Sequence, residues 1–370
     1  MTRVLVTGGA GFIGSHLVDA LLTRGFDVRV LDNLDPQAHE GGRARFLSSD
    51  AELMVGDLRD RDAVRRALNG MELVFHQAGM VGNGQSMYEI HRYVEVNGGG
   101  TAILMEEIVA RRDRIRRVIA ASSMVVYGEG AYWCAQHGEC RGTRSAEDLR
   151  ARRWEPLCQI CGAALTPRPT NEEWPLQPTS PYAISKRDSE EITLVSARAH
   201  GVDAVALRYL NVYGPRQALG NPYTGVAAVF CARLLSGRAP LIFEDGGQRR
   251  DLVHVSDIVR ANLLAMDSPL ASGYPINIGT GTSVTVLELA QTLARGLGID
   301  HAPEISGLYR AGDIRHCYAD ISRAERLLGF SAEADRDECL SELAQWVATQ
   351  PSVDRSEGAL AALKDRGLIR

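Results

Sequence analysis

Short apolar runs alternate with amphipathic stretches along the first half of the chain. The runs at 3–8, 27–32 and 117–123 have the mainly apolar character of buried strands. Between the first two, residues 14–25 place apolar side chains at helical spacing and end at a glycine. This alternation predicts an α/β fold of the Rossmann type, with a doubly wound parallel sheet.

The same patterns predict the remaining elements of this sheet and its helices. Strands are expected at 52–57, 72–79 and 203–214, and helices at 62–70, 97–112, 182–201 and 283–298. After about Pro215 the pattern becomes less regular, which indicates a smaller region set over the edge of the sheet. Residues 130–168 also break the alternation and have the character of an insertion.

Composition narrows the class of protein. The 370 residues are 45% hydrophobic and 24% charged with a net charge of −5, which is ordinary globular composition without the basic excess of nucleic-acid binding. There is no polybasic run, no signal peptide and no apolar stretch near the ~20 residues that span a bilayer. We therefore expect a cytoplasmic protein without a membrane partner, in which closely spaced cysteines indicate a metal or redox site.

A glycine-rich turn follows the first predicted strand. Gly8 allows a tight turn, Gly11 admits a pyrophosphate to the backbone, and Gly14 lets the first helix pack on the strand. Asp32 ends the second strand, where a carboxylate suits the ribose hydroxyls of NAD and repels the 2′-phosphate of NADP. The pattern predicts bound NAD. Asp57 is placed near the adenine, although a loop or capping aspartate is an equally good interpretation.

Tyr182 and Lys186 lie one helical turn apart and share a helix face. A lysine cation beside a phenol favours the phenolate, so we expect the pKa of Tyr182 to be lowered toward the working pH. Ser122 and Ser123 end the preceding strand, at the edge where such sheets bind ligands. A serine hydroxyl there can hydrogen-bond a reacting oxygen. The tyrosine–lysine spacing is common by chance and gains weight only from this context.

Seven segments in this order resemble the extended short-chain dehydrogenase/reductase family, and most closely its nucleotide-sugar epimerase branch. They are TGGAGFIGSH, LDNL, SSMVVYG, PYAISK, LRYLNVYGPRQ, RRDLVHVSDI and YRAGDIRHCYAD. The resemblance covers residues 1–345 and implies an NAD that is reduced and reoxidised within each turnover. It implies Ser123 as hydroxyl partner, Tyr182 as acid/base, and Lys186 as ribose and electrostatic partner.

The resemblance also implies a nucleotide-diphosphate sugar as substrate. Besides Ser123 and Tyr182, the matching contacts are Asn211, Arg250, Arg310 and Asp313. Guanidinium groups suit a pyrophosphate, whereas a surface ion pair is the ordinary alternative for each arginine. The expected cofactor-binding residues are Gly8, Gly11, Phe12, Ile13, Gly14, Asp32, Asn33, Asp57, Leu58, Gln77, Ala78, Gly79, Asn97, Ser122, Tyr182 and Lys186.

Met124 and Val125 indicate which reaction the site performs. The resemblance implies that dehydrating members of the family carry an acidic pair at these positions and that decarboxylating members often carry a glutamate, whereas this chain has neither. Removal of a hydride from C4 and its return to the other face need only Ser123, Tyr182 and the nicotinamide. We therefore favour a 4-epimerase, and the resemblance implies dTDP-L-rhamnose or a related NDP-hexose. A UDP-glucose or UDP-glucuronate 4-epimerase, or an NDP-sugar dehydrogenase or reductase, remains an alternative.

The insertion carries two metal-binding patterns. Cys158 and Cys161 form a CxxCG knuckle, and Cys134 and His137 repeat its spacing with histidine in second place. Together they predict a Cys₃His set for structural Zn²⁺, with Cys140 as the alternative to His137. Because all four positions would be filled, no position stays open for catalysis. A regulatory NAD-binding protein with a zinc ribbon is disfavoured by the intact Ser–Tyr–Lys set.

These observations divide the chain as follows. We expect an NAD-binding Rossmann domain at 1–207 with 251–270 returning to it, a zinc-knuckle insertion at 131–168, a nucleotide-sugar-binding domain from 208–250 and 271–350, and a C-terminal tail at 351–370. The insertion leaves after Ser123 and returns before Tyr182, so we expect it at the rim of the substrate pocket or in a subunit contact. The resemblance implies a homodimer formed through the helices at 97–112 and 182–200.

Overall fold

The computed structural model describes residues 2–219, 221, 223, 225–350 and 356–370, so part of the predicted 351–370 tail lies outside the described residues. The strands are β1 (Arg3–Thr7), β2 (Asp27–Asp32), β3 (Glu52–Val55), β4 (Leu73–His76), β5 (Arg117–Ser123), β6 (Ala131–Cys134), β7 (Gly138–Arg141), β8 (Thr166–Arg168), β9 (Asp203–Tyr209), β10 (Asn211–Tyr213), β11 (Leu241–Ile242), β12 (Arg249–Arg250), β13 (Leu252–His254), β14 (Pro275–Ile278), β15 (Val284–Thr285), β16 (Glu304–Ile305) and β17 (His316–Cys317).

The helices are α1 (Phe12–Thr23), α2 (Arg61–Leu68), α3 (Asn83–Ser86), α4 (Ile90–Tyr93), α5 (Gly100–Val109), α6 (Ala146–Arg150), α7 (Pro181–His200), α8 (Val226–Leu235), α9 (Val255–Asp267), α10 (Val286–Gly296), α11 (Ser322–Leu328), α12 (Arg336–Ala348) and α13 (Ser356–Asp365). A π-helical segment, Val94–Gly99, joins α4 to α5. None of the described helices combines the length and the apolar character that crossing a bilayer requires.

A seven-stranded parallel sheet in the order β14-β9-β5-β4-β1-β2-β3 forms the centre of the molecule. Successive side chains of a strand point to opposite faces, so Val4 and Val6 enter one core while Leu5 enters the other. Helices α1, α9 and α11 cover the first face, and α2, α5 and α7 cover the second. The predicted Rossmann-type fold is confirmed.

Three details differ from the sequence prediction. The helix predicted at 97–112 begins at Ile90, because the π-helical segment continues it without a break. The single strand predicted at 203–214 is divided at Leu210, whose N–H binds the carbonyl of Ile278, and β10 then pairs with β13 outside the main sheet. Strand β14 completes the sheet beside β9, although it was assigned to the sugar-binding region.

The region after β9 has a core of its own. Helices α8, α10 and α12 pack together through Phe230, Leu293 and Leu343. Residues near the C-terminus close over this region: Tyr309 and Arg370 exchange both backbone hydrogen bonds, at 2.9 and 3.0 Å. The segment that begins at Tyr309 is thereby paired along one edge.

The insertion folds as a small unit at the carboxyl end of β5. Its strands β6, β7 and β8 form an antiparallel sheet, in which Ala131 pairs with Arg168. The unit has one small cluster of buried apolar side chains, formed by Tyr132, Cys134, Cys158 and Leu165. Because Ala131 and Arg168 are neighbours, the chain enters and leaves the insertion at one place, between Ser123 and Tyr182.

Candidate functional site

A cavity of about 550 Å³ lies at the carboxyl ends of the central strands, where α/β sheets bind ligands. Its lining brings together most of the residues that the sequence singled out. Those present are Gly8, Gly11, Phe12, Ile13, Gly14, Asp32, Asn33, Asp57, Leu58, Gln77, Ala78, Gly79, Ser122, Ser123, Tyr182, Lys186 and Asn211. Asn97, Arg250, Arg310 and Asp313 do not line it.

The glycine turn has the form that a dinucleotide requires. Gly8 has a φ of +68°, and a Cβ there would lie 2.6 Å from the Ala78 nitrogen. A Cβ on Gly14 would lie 2.1 Å from the Gly8 oxygen. Gly11 is the N-cap of α1, has no side-chain cap and borders the cavity. The helix N-terminus is therefore left to an anion, and a pyrophosphate fits it.

Asp32 is almost fully buried at the cavity wall. Its carboxylate accepts hydrogen bonds from the backbone of Ala10 and Leu34, and His39 Nε2 lies 3.2 Å from it. His39 lies in an irregular loop where no sequence motif marks it, so it was not predicted. Asp57 accepts a hydrogen bond from Asn33, at 3.0 Å.

Arg59 determines the ionisation of Asp57. Its guanidinium donates to both Asp57 oxygens, at 2.9 and 2.8 Å, and holds the pKa of Asp57 well below its usual range. Asp57 is therefore an anion that borders the cavity. Its predicted place near the adenine stays a prediction.

Tyr182 lies in the first turn of α7, which Ser180 caps by accepting from the Ala183 N–H at 3.1 Å. Burial raises the pKa of Tyr182 to about 12, and a hydrogen bond with Ser123 partly offsets this rise. The lowered pKa expected from Lys186 is not found in the free protein, because the cost of holding a phenolate away from water dominates.

Lys186 is buried beside Tyr182 on the same helix. Its ammonium group donates a hydrogen bond to the carbonyl of Ala121 in β5. Burial lowers the pKa of Lys186 to about 8, and the nearby Glu190 carboxylate acts in the opposite direction. At neutral pH the group is mostly cationic, as its predicted electrostatic role requires.

A buried ion pair fixes β9 against α7 behind these groups. Arg208 donates to both carboxylate oxygens of Glu190, at 3.0 and 2.6 Å. Ser122, predicted to bind cofactor, donates its hydroxyl to the same carboxylate at 2.6 Å. The Ser122 hydroxyl is thus committed to Glu190, while Ser123 is left for the cavity. Sequence analysis missed Glu190 and Arg208.

Asn97 and Gln77 hold the loop after β4. Asn97 donates to the Met80 carbonyl and to Ser185 Oγ, and accepts from the Met80 N–H at 2.7 Å. It therefore stands behind the cavity wall, where a Cβ on Gly79 would lie 3.1 Å from its Oδ1. Gln77 borders the cavity and hydrogen-bonds the Tyr209 hydroxyl.

The predicted sugar-binding residues fall in two places. Asn211 borders the large cavity, and its buried Oδ1 has no hydrogen-bond partner, which suits a ligand donor there. Arg310 borders a smaller cavity of about 90 Å³ and is joined to Asp313 at 2.8 Å. Tyr223 lines both cavities, so they adjoin.

Arg250 is turned toward the backbone. Its two terminal nitrogens donate to the carbonyls of Arg249, Ile314 and Arg315, at 2.8–2.9 Å. Burial lowers its pKa, and Asp313 partly offsets the effect. A direct contact of Arg250 with pyrophosphate stays a prediction.

The insertion gathers the four predicted metal ligands. Cys134 Sγ lies 3.5 Å from His137 Nδ1 and 3.6 Å from Cys161 Sγ, and Cys158 Sγ lies 3.6 Å from the same histidine nitrogen. All four donor atoms lie within 4.8 Å of one another. Sulfur ligands of tetrahedral zinc, each about 2.3 Å from the metal, are separated by about 3.8 Å, so the set fits this ion.

The two knuckles are alike in their backbone as well. Gly138 and Gly162, which follow the second ligand of each knuckle, have φ values of +74° and +72°. Left-handed backbone of this kind favours glycine. Cys140, the alternative ligand, packs against the cluster but is not among its four members.

The sequence of this chain matches a known protein family and several characterised proteins. The profile of the NAD dependent epimerase/dehydratase family matches residues 4–146 and 158–279. The dTDP-L-rhamnose 4-epimerase of Burkholderia thailandensis is 33% identical over 353 residues, covering 94% of this chain and 95% of that protein.

Two solved structures extend the likeness to the fold. UDP-glucose 4-epimerase of Thermotoga maritima, solved with UDP-glucose, superposes with a TM-score of 0.76 at 32% identity, covering 93% of this chain and 98% of that one. UDP-glucose 4-epimerase of Thermus thermophilus, solved with NAD, has a TM-score of 0.75 at 30% identity, covering 95% and 100%. The likeness thus extends over nearly the whole length of each chain.

Proposed function

The chain belongs to the NAD dependent epimerase/dehydratase family, and on that premise we propose that it is an NAD-dependent 4-epimerase of nucleotide-diphosphate sugars. The observation that carries the proposal is one cavity that joins the glycine turn to Ser123, Tyr182 and Lys186. Met124 and Val125 leave the wall beside Ser123 without the acidic pair of a dehydratase. Epimerisation needs no such acid.

The chemistry follows from the positions of these groups. Bound NAD supplies the acceptor and donor of the C4 hydride. To act in oxidation, Tyr182 must be the phenolate, which takes the proton of the C4 hydroxyl; the resulting phenol returns that proton to the keto oxygen during reduction. Ser123 hydrogen-bonds the same oxygen, and the Lys186 ammonium stabilises the phenolate before it takes the proton. Inversion requires only that the keto sugar present its other face before the hydride returns.

For the substrate we propose dTDP-L-rhamnose or a related NDP-hexose. The relative from Burkholderia thailandensis carries that activity in its name, and it is similar to this chain over 94% of its length. UDP-glucose is the alternative, since the two similar structures are UDP-glucose 4-epimerases. The unpartnered Asn211 oxygen and the Arg310 guanidinium are the proposed sugar-nucleotide contacts.

The direct test is incubation of the purified protein with dTDP-L-rhamnose, UDP-glucose and UDP-glucuronate. We expect the C4 epimer of at least one, identified by proton NMR, without release of reduced cofactor. A 4-keto-6-deoxy product would identify a dehydratase. Net reduction of added NAD would identify a dehydrogenase. Either result without epimerisation would contradict the proposal.

Tyr182→Phe tests the mechanism. Loss of the hydroxyl removes the proton-transfer group, so kcat is expected to fall by at least about 10²-fold, the lower range for a general acid–base. Bound NAD, measured after acid release, is expected to stay near the wild-type level. Tyr274→Phe, an exposed tyrosine outside the cavity, is the matched control. Full activity of Tyr182→Phe would exclude this mechanism.

We also propose a structural Zn²⁺ held by Cys134, His137, Cys158 and Cys161, supported by their mutual distances. The small unit buries few side chains, so metal binding would supply much of its folding free energy. Elemental analysis of protein purified without chelator is expected to find one zinc per chain. Absence of zinc would contradict this assignment. Thiolate ligands of this kind require a reducing compartment, which supports a cytoplasmic location.

A homodimer through α5 and α7 completes the proposal. These helices pack side by side, and the surface around them exposes large apolar side chains: Ile90, Val94, Ile184 and Val195. Apolar patches of this kind mark interaction sites. We retain the division into an NAD-binding part, a sugar-binding part and the insertion, with β14 now counted in the first.

A further inference from the structure

The insertion reaches the sugar-binding region through buried charges. Arg144 lies between the two knuckles, and its side chain is only 5% exposed. It donates to Glu244 Oε1 at 2.6 Å and to the carbonyl of Asp313 at 2.7 Å. One residue of the insertion therefore holds both a side chain and the backbone of the sugar-binding region.

Glu155 makes the second connection from the same stretch. It accepts from Arg315 Nε at 2.9 Å and lies 2.8 Å from His316 Nε2. Arg315, 2% exposed, also donates to Glu244 at 2.9 Å. We call Arg144, Glu155, Glu244 and Arg315 the bridge network. Arg144, Glu244 and Arg315 are buried, whereas the Glu155 side chain is 43% exposed. Buried charges depend strongly on their partners.

The segment that the bridge network holds borders the proposed substrate site. Arg310 and Asp313 lie directly before Arg315, and Arg310 lines the smaller cavity. Gly312, between them, accepts from Thr179 Oγ1 at 2.8 Å, three residues before Tyr182. A shift of this segment would therefore move residues that border the main cavity.

The metal is connected to the same residues by the backbone. Thr143 and Ala164 both bridge to Leu157, the neighbour of Cys158. Arg144 and Glu155 thus occupy the loop whose two ends the knuckles secure. Without the metal, this loop has little apolar burial of its own to hold it.

We propose that Arg144 and Glu155 are positioning residues, through which the metal-held insertion fixes the 310–316 segment for binding of the sugar nucleotide. The inference rests on the proposed function for the identity of the ligand, and on the proposed zinc site for the rigidity of the loop. It assigns no catalytic step to the metal. NAD binding, at the opposite end of the cavity, is independent of the bridge network.

Hydrogen exchange of the full-length, zinc-loaded protein tests the connection without requiring activity. The amides of Arg315 and His316 donate to Glu129, so their exchange reports on the segment. In Arg144→Met and Glu155→Gln we expect peptides spanning 310–317 to exchange at least about 10-fold faster. Peptides of β1 are expected to stay within twofold of wild type.

Two controls match these variants in charge and location. Arg150→Met and Glu147→Gln alter exposed residues of α6, within the same loop. Both are expected to leave exchange at 310–317 unchanged. Glu155→Gln keeps the shape of the side chain, so it remains informative if Arg144→Met does not fold. Wild-type protein stripped of metal by a chelator is expected to show the same acceleration.

Steady-state kinetics provide the functional readout. For the sugar nucleotide that is turned over, KM should rise at least about fivefold in both variants, while kcat changes less than threefold and bound NAD is unchanged. Wild-type exchange at 310–317 in both variants, or after zinc removal, would overturn the inference. If no sugar nucleotide reacts, the proposed function fails, whereas the exchange measurement still decides whether the bridge network positions the segment.

Discussion

Burial determines the charge states of single residues around the cavity. It raises the pKa of Tyr182 to about 12, and it lowers the pKa values of Lys186 to about 8 and of His76 to about 3. Each direction follows from the cost of holding a charge away from water. At neutral pH the free protein therefore has a neutral phenol, a cationic lysine and a neutral imidazole.

Glu190→Gln tests the electrostatic control of Lys186. The Glu190 carboxylate raises the lysine's pKa, so its neutralisation is expected to move the alkaline limb of the kcat/KM profile, which reports on the free enzyme, below pH 8. The variant also leaves Arg208 without its charge partner, which should cost about 3 kcal/mol of unfolding free energy. Glu191→Gln, an exposed neighbour, should move neither quantity. An unmoved limb in Glu190→Gln would contradict the role given to Lys186.

His76→Gln tests the effect of a buried neutral imidazole on stability. The unfolded chain takes up a proton below about pH 6.5, whereas the folded one resists until about pH 3, so stability is lost as the pH falls through this window. Between pH 7 and 5 the wild type should lose about 2 kcal/mol more than the variant, at about 1.4 kcal/mol per unit. Urea unfolding at both pH values measures this, with the exposed His91→Gln as control.

Secondary-structure elements were predictable where the signal is local. The glycine turn, the Tyr182 helix start and both knuckles depend on residues a few positions apart. The departure of β10 from the sheet could not be predicted, because its apolar run continues that of β9. Only the pairing of β10 with β13 separates the two strands. Glu190 and the bridge network were missed for a similar reason: their contacts join distant parts of the chain, as Arg144 does with Glu244.

Gly162→Ala tests the knuckle as an element. A Cβ there meets no atom within 4 Å, so the cost is that of left-handed backbone alone, about 1–2 kcal/mol. Zinc affinity, measured by competition with a chromophoric chelator, should fall about 5–30-fold. Gly201→Ala has the same backbone strain at the end of α7 and open space around it. It should lower overall stability by a similar amount and leave zinc affinity unchanged.

Among the described residues, the central sheet has a core on each face and the region after β9 has a third, with the cavity opening between the sheet and that region. The fold class followed from the sequence, because the alternation of strands and helices and the glycine turn are local signals. The sugar end of the cavity did not, since it combines residues near 83, 179, 223 and 310 with the insertion.

Val195→Glu tests the proposed dimer. Val195 is 63% exposed on α7, so a glutamate there would be buried only if a partner subunit covers it. A buried, unpaired carboxylate would then oppose association. Sedimentation is expected to show a monomer for this variant and a dimer for the wild type. Leu270→Glu, at an equally exposed leucine outside these helices, should remain dimeric. A dimeric Val195→Glu would remove this face from the interface.

Ala131 and Arg168 stand side by side where the insertion joins the sheet. Segments whose ends meet can be exchanged as a unit, because their acquisition leaves the host backbone in place. An ancestral enzyme could thus have gained the knuckles in one event without displacing Ser123 or Tyr182. The proposed zinc site would then impose a metal requirement that the proposed reaction does not explain, and growth with limited metal would test for it.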